Sequence, residues 1–387
     1  MRKSVSITIV ICSVFSLLLI SVQVSFYVNA QPPVTFPEIT ISSDGSIQSS
    51  LSPSPIINEG NMYIINENIS GYGIDIQRSN IVLLGEGNTL QATAEYNTNS
   101  GITIEANGVT VENVSIVRFA VGVDAKGSSN KVTGCNITAG GNGVNVGGQA
   151  NLITENNISN CAGNGIELTN SANNVTYNTI NCPVMVDKRS NSNVISGNLL
   201  VSTTFDIMMY GNNNVVVSNT ITGGSLGVIF YDPANANIVT KNDIVNNYEG
   251  IGLNKQANSF YLNNFINNTY NVRLHFFGDP YAPYSMNVFD NGSVGNYWSD
   301  YTTKYPNAKE TGNTGIYNIP YVIDGNITDN YPLTTSYTVG NTGAQISTQS
   351  SSNPTPTPAV PEFSWLAILP LLLLFSIAVL FRHRKDH

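Results

Sequence analysis

Asn151-Leu152-Ile153-Thr154-Glu155-Asn156-Asn157-Ile158 is followed by Asn173-Asn174-Val175-Thr176-Tyr177-Asn178-Thr179-Ile180, and the two stretches are copies of one phrase. Its eight positions read Asn, any, Val/Ile/Phe, any, any, Asn/Cys, any, Ile/Leu/Phe. It recurs at residues 130–137, 151–158, 173–180, 193–200, 214–221, 237–244 and 258–265, with a weaker copy at 107–114 and a degenerate one starting at Asn80. A period of about 21 residues is the mark of a solenoid, in which one short unit is stacked on the next.

About ten residues beyond each phrase lies a second apolar segment, such as Gly143-Val144-Asn145-Val146, Gly165-Ile166-Glu167-Leu168, Gly227-Val228-Ile229-Phe230, Gly250-Ile251-Gly252-Leu253 and Asn271-Val272-Arg273-Leu274. These pieces are too short for helices, rich in β-branched residues, alternating, and bounded by Asn, Gly and Ser, so they read as strands. The expected architecture is all-β: a right-handed single-stranded parallel β-helix with three strands per coil and about nine coils. Equivalent positions then stack about 4.8 Å apart. One expected internal column is Val109, Val132, Ile153, Val175, Ile195, Val216, Val239 and Phe260. A second is Val114, Ile137, Ile158, Ile180, Leu200, Ile221, Ile244 and Phe265, and a third is Val123, Val146, Leu168, Val186, Met209, Phe230, Leu253 and Leu274. Asn is expected at the bends, where it tolerates left-handed backbone and its amides can stack into a ladder.

Repeats stack without a fixed upper size, so 387 residues are read as one repeat body rather than several domains. Only 11% of residues are charged and the net charge is −9, which leaves no basic stripe for nucleic acid. Abundant Asn, Thr, Ser and Tyr suit a hydrated or sugar-facing surface.

The ends read as export and anchoring signals. Met1-Arg2-Lys3, an apolar run and Val28-Asn29-Ala30 resemble a secretory signal over residues 1–30, the alternative being an uncleaved anchor. Residues 31–59 are read as an N-terminal linker, 60–279 as the β-helix, 280–337 as a C-terminal cap and 338–363 as a Ser/Thr/Pro-rich stalk. Residues 364–381 form an apolar span just long enough for a bilayer, and the basic tail 382–387 places the C-terminus inside. The body is therefore expected outside the cell, tethered to the cytoplasmic membrane. Eight sequons, at Asn68, Asn113, Asn136, Asn157, Asn174, Asn267, Asn291 and Asn326, fit an exported glycoprotein. Cys161 and Cys182 fall at nearly matching coil positions. They are read either as a disulfide between adjacent rungs or as two small residues stacked in the core.

The repeat, the segment Tyr63-Ile64-Ile65-Asn66-Glu67-Asn68-Ile69-Ser70-Gly71 and the phrase from Asn80 to Leu90 point to a family. So, above all, does Gly295-Asn296-Tyr297-Trp298-Ser299-Asp300-Tyr301 with Asp329-Asn330-Tyr331-Pro332-Leu333. Over residues 60–335 the chain resembles archaeal surface proteins that carry the β-helix domain named after NosD, the nitrous-oxide-reductase accessory protein. Val360-Pro361-Glu362-Phe363, with the apolar span and basic tail, resembles the tripartite C-terminal anchor of such proteins, some of which are processed by archaeosortases. The resemblance implies a pectin-lyase-type fold displayed on an archaeal envelope. Where many relatives have an Asp-rich stretch, this chain has Thr311-Gly312-Asn313-Thr314-Gly315-Ile316-Tyr317, which lacks the oxygen donors of a calcium site.

The family name implies copper. A cuprous site needs converging thiolates, thioethers or imidazoles. His275 is the one histidine outside the tail, and Met185 and Met208 occupy matching positions on neighbouring coils, which suits packing better than a metal site; no cofactor is expected. Cleavage of polysaccharide needs paired carboxylates or a base beside calcium. Glu155, Glu167, Asp187, Asp206, Asp232, Asp243 and Glu249 are scattered, without an Asp-x-Asp cluster, so no catalytic residue is assigned.

A more informative strip follows the third strand. One residue past its last internal position come Asp187, Tyr210, Tyr231, Asn254 and His275, and one further come Lys188, Gly211, Asp232, Lys255 and Phe276. Aromatic faces beside polar groups are what a sugar ring requires, so this strip is read as a glycan-binding site, the alternative being an aromatic ladder that only joins coils. Tyr297, Trp298 and Tyr301 are expected to plug the last coil, Asp300 to serve as a loop hydrogen-bonding residue, and the segment from Tyr63 to Ile76 to cover the other end. The function expected is non-catalytic carbohydrate or envelope-protein binding at the cell surface. A polysaccharide lyase or glycoside hydrolase, and a copper-handling accessory protein, are the alternatives.

Overall fold

Three parallel sheets of 11, 11 and 12 strands carry the fold, each coil giving one strand to each sheet. In the computed structural model the described residues are 5–10, 21–26, 38–93, 99–202, 204–254, 257–275 and 287–338. The coils belong to the first of two compact units, Met1–Gln345; the second, Ile346–His387, lies outside the described residues, as do the expected stalk, span and tail. The expected signal segment is described only as two strands, Val5–Val10 and Ser21–Phe26, paired antiparallel. Among the described residues no helix is long and apolar enough to cross a membrane.

The repeat phrase supplies the first two strands of each coil. Leu152–Thr154 lies in the first sheet, Asn157–Ser159 in the second and Ile166–Leu168 in the third. The period places Ile153 on Val175, Ile158 on Ile180 and Leu168 on Val186. All of these side chains are fully buried. From the coil of Val132 onward the three columns are as expected.

One coil earlier, each column is shifted by two residues. Val132 pairs with Val111 rather than Val109, Ile137 with Ile116 rather than Val114, and Val146 with Ala125 rather than Val123. Apolar residues alternate on both sides there, so the pattern alone allows either register, and Asn107 imitates the start of a phrase. A hydrogen bond decides: the Asn130 side chain accepts the N–H of Val109, so Val109 holds the place that Asn130 holds one coil on.

Asn113, Asn160, Asn213, Asn246 and Asn267 take left-handed backbone at bends, as expected, but the asparagines at positions one and six of the phrase do something else. At the first turn of each phrase the left-handed residue is the one before the Asn: Ser129, Ala150, Ala172, Ser192, Asn213 and Ala236. At the second turn it is the one before position six: Gly134, Glu155, Tyr177, Gly197, Ser218, Lys241 and Leu262. The Asn that follows is buried at 0–2% exposure with its side chain pointing inward. Two continuous amide ladders result, Asn130-151-173-193-214-237-258-287 and Asn156-178-198-219-242-263-296. In each step the lower residue donates its backbone N–H to the Oδ1 of the Asn above, as Asn178 does to Asn198 at 2.9 Å. Most members also donate Nδ2 to that Oδ1, and in the second ladder Nδ2 reaches a strand carbonyl as well, as Asn178 does with Ile153 and Asn198 with Val175. The ladders thus satisfy backbone groups that the turns would otherwise orphan inside the protein.

Glycine opens the third strand of many coils because the next coil passes too close for a side chain. A Cβ on Gly143 would lie 2.5 Å from the Gly165 carbonyl oxygen, and one on Gly227 2.7 Å from that of Gly250.

Both ends are covered. Tyr63 to Ile76 is not a lid but a complete coil, contributing Met62–Ile65, Ile69–Ser70 and Gly73–Ile76 to the three sheets, which brings the coils to about ten. It lacks the Asn phrase, and so it escapes the period. The N-terminal cover is instead built from residues 38–59, which are folded from Glu38 on rather than a linker. Glu38–Ile41 adds a strand to the third sheet, burying Ile39 and Ile41, and Ile56–Glu59 closes the first sheet antiparallel. At the C-terminal end Tyr297–Trp298 extends the second sheet, with Trp298 paired to Phe265. The cap continues through the helical turn Tyr301–Lys304 and the hairpin Tyr321–Asp324/Ile327–Asp329.

Candidate functional site

On the outward side of the third sheet, Met185, Met208 and Ile229 stack on successive rungs. They alternate with the buried inward residues Val184/Val186, Ile207/Met209 and Val228/Phe230. Met185 and Met208 remain half-buried, whereas Ile229 is covered, at 2% exposure. Tyr210 and Tyr231 border this band at the end of the strands, their rings parallel within 6° and 4.5 Å apart. Burial, with Tyr210 beside it, pushes the Tyr231 phenol up. Face-to-face stacking consumes the inner ring faces, so the pair offers its edges and hydroxyls, and a ring face only at either end of the stack.

The remaining strip residues divide. Asp187 is half-buried and accepts the backbone N–H of Arg189 at 3.0 Å; Lys188 and Asp232 are exposed. Asn254 is 1% exposed, so it is a core residue and not a surface contact. Lys255 lies outside the described residues. His275 folds back over Gly252 to place Nε2 2.6 Å from Glu249, whose other oxygen is 2.7 Å from Arg273. The strip is thus Asp187, Lys188, Tyr210, Tyr231 and Asp232, with His275 turned toward Glu249.

At the C-terminal end, Trp298 is 1% exposed between Phe265 (4.4 Å) and Tyr321 (4.1 Å), both rings parallel to it. Its indole N–H donates to Asp329 at 2.8 Å. Tyr301 is buried, stacked 4.0 Å from Tyr317, and its hydroxyl donates to the Ile319 carbonyl at 2.6 Å. Tyr297 stays half-buried on the other side of its strand. Asp300 accepts hydrogen bonds from Asn271 at 3.0 Å and Tyr321 at 2.9 Å.

Between this cap and the last coil lies a cleft of about 210 Å³ that sequence reasoning missed. Asn268, Tyr270 and Asn271 line it from the coil, and Asp300, Lys304 and Tyr321 from the cap. Of the lining tyrosines, Tyr270 is visible in the sequence as the partner of Tyr248, 22 residues earlier; the two rings sit edge to face at 5.4 Å and are 46% and 51% exposed. Lys304 and Tyr321 carry no such signal, because the cap has no period.

The thiols Cys161 and Cys182 are free, one rung apart, with the Cys161 N–H 3.0 Å from the Cys182 sulfur. The expected bridge is not formed, and stacking is the arrangement seen. Hydrogen bonds from Cys161 draw the Cys182 thiol down, while burial pushes Cys135 up to about 11.

Copper does not fit the donors present. Met185 and Met208 are followed on the next rung by Ile229, the His275 imidazole is engaged by Glu249, and the Asn164 amide lies 3.7 Å from the Met185 sulfur. Among the described residues no three His, Cys, Asp or Glu side chains gather around one point.

Comparison with known proteins agrees with the fold. Residues 182–303 match the family model of the periplasmic copper-binding protein NosD, and residues 56–200 match that of the right-handed β-helix region. No curated protein matches the chain. Among solved structures, the tailspike protein of E. coli bacteriophage HK620 in complex with a pentasaccharide is 14% identical at a TM-score of 0.40, covering 59% of this chain and 48% of that one. A variant of the same tailspike with the pentasaccharide is 13% identical at 0.43, covering 59% and 48%. The chain spans about half the length of these tailspikes.

Proposed function

We propose that this chain, a NosD-like right-handed β-helix, is an exported, membrane-tethered protein that binds carbohydrate on the outer face of its third sheet without cleaving it. The observation that carries the reading is the half-buried pair Met185 and Met208 bordered by the Tyr210–Tyr231 stack, with Asp187, Lys188 and Asp232 alongside. Such a surface gives a polysaccharide apolar contact for ring C–H faces and directional partners for hydroxyls. The low charge of the chain suits a neutral polymer.

The carboxylates favour binding over cleavage. Asp206 is fully buried and pushed well up by burial, Glu249 is held by Arg273 and His275, Asp243 by Asn264 at 2.6 Å, and Glu167 by Asn142 at 2.6 Å. These carboxylates are spent on structure, whereas hydrolysis needs two aimed at one glycosidic bond.

The test is retention of the full-length protein on envelope polysaccharide, scored together with release of reducing or unsaturated ends. Replacing Tyr210 and Tyr231 by Ala is expected to weaken retention at least tenfold, with no ends released by either protein. Unchanged retention would remove the platform, and released ends would make the protein an enzyme.

A further inference from the structure

The cleft between the last coil and the cap differs from the open platform in being enclosed on two sides and furnished with opposite charges. Asp300 and Lys304 stand one helical turn apart, and the Lys304 N–H donates to the Asp300 carbonyl at 3.0 Å. Their side chains are held by other groups. Asp300 takes the Asn271 amide and the Tyr321 hydroxyl, while the Lys304 ammonium donates to the Val322 carbonyl and lies 4.0 Å over the Tyr321 ring. Among the described residues no ion pair joins the two. A carboxylate and an ammonium that share a cleft without neutralising each other leave one fixed acceptor and one fixed donor aimed into it.

From this geometry we infer that the cleft is a subsite for the terminal pyranose of a neutral glycan, with adjacent hydroxyls donating to Asp300 and accepting from Lys304. The inference rests on the carbohydrate-binding reading above for its ligand class, and it adds the place where the chain end is held. Three observations favour a sugar over a charged ligand. The volume of about 210 Å³ lies below the roughly 300–1,000 Å³ of drug-sized sites and suits a single ring. Each charge is already partly satisfied, which suits hydroxyls that both give and take a hydrogen bond better than a full counter-charge. Tyr270, 46% exposed, supplies an aromatic wall, and its edge-to-face partner Tyr248 carries the exposed surface onward for the next residues of the polymer.

The experiment titrates the full-length protein in detergent with the methyl glycosides of glucose, galactose, mannose and N-acetylglucosamine, read by saturation-transfer NMR. Retention on polysaccharide is scored in parallel. At least one glycoside is expected to bind, and Asp300→Asn and Lys304→Met are each expected to weaken it about tenfold or more. Folding of each variant is checked by the melting of the cap followed through Trp298 emission in a Trp365→Phe background, and if one variant loses the cap the other decides. Polymer retention with no glycoside bound overturns the cleft and leaves the platform. Glycoside binding without polymer retention leaves the cleft and removes the platform, and absence of both removes both. Displacement of the glycoside by glycine, a zwitterion, or unchanged affinity in a folded variant, also overturns the assignment.

Discussion

Asn198→Ala is expected to destabilise the β-helix by about 3–5 kcal/mol, far more than an exposed polar-to-alanine change. Its Oδ1 accepts both the N–H and the Nδ2 of Asn178, at 2.9 and 3.0 Å, and its Nδ2 donates to the Val175 carbonyl and to Asn219, both at 2.9 Å. Removing the amide strips the Asn178 N–H and the Val175 carbonyl of a side-chain partner at a site with 0% exposure, at about 1–3 kcal/mol each. It also takes one further bond from Asn178 Nδ2, which keeps the Ile153 carbonyl, and one from Asn219 Oδ1, which keeps the backbone N–H of residue 198. Asn198→Asp tests the same point by charge. The carboxylate would still accept from Asn178 but would face the oxygens of Val175 and Asn219, so its pKa in the folded state must rise. The protein would then regain stability as the pH falls. Urea melts of the three proteins check both expectations, and an alanine variant within about 0.5 kcal/mol of the parent would show that the ladder is ornamental.

Trp298→Ala is expected to cost about 3–5 kcal/mol, the range for emptying a buried aromatic site, and to release the cap before the coils. The indole sits between Phe265 and Tyr321 and donates to Asp329, which also accepts the N–H groups of Asn296 at 2.7 Å and Tyr331 at 3.0 Å. Asp329 thus occupies the rung after Asn296 and ends the second ladder with a group that only accepts. Burial pushes its carboxyl up to about 6, against the pull of those donors. Because the folded value exceeds the unfolded one near 4, the stability linked to this group is full below about pH 4. It is lost as the pH rises through 6, about 3 kcal/mol in all. Cap melting, followed by Trp298 emission in a Trp365→Phe background, should therefore move to lower temperature between pH 4.5 and 7.5, and Asp329→Asn should flatten that dependence. A cap that gains stability over this interval through Asp329 would contradict the assignment.

Legibility of the fold in the sequence followed the period. Wherever two consecutive phrases were intact, as at Ile158, Ile180 and Leu200, the stacked partners could be named in advance. Where a phrase decayed, as between Val109 and Ile116, alternating apolar residues left two registers open, and the hydrogen bond that the Val109 N–H donates to the Asn130 side chain distinguishes them. The first coil was missed because Tyr63 and Asn68 stand where the phrase has Val/Ile/Phe and Ile/Leu/Phe, so Tyr63, Ile65, Ile69, Ile74 and Ile76 fill the core without a complete phrase to announce them. The role of Asn was half legible. Its spacing was right, but a buried amide ladder and a left-handed turn both favour Asn, and the turn residue proved to be its neighbour.

Of the candidate site, the contact between Tyr210 and Tyr231 could be read because both lie within the period. The burial of Asn254 could not be, since its backbone carbonyl is bonded by Asn287 from beyond the repeats. For the same reason the cleft of Asp300, Lys304 and Tyr321 was hidden: its walls come from segments about 20 to 50 residues apart with no common spacing.

Methyl-to-methyl NOE contacts in protein labelled at Ile and Leu test the stacked coils most directly. Stacking requires cross-peaks linking Ile158 with Ile180 and Ile180 with Leu200, side chains about 21 residues apart in sequence and adjacent in the second sheet. Assigned resonances from all three residues with neither cross-peak present would contradict the coil register on which the ladders, the platform and the cleft depend.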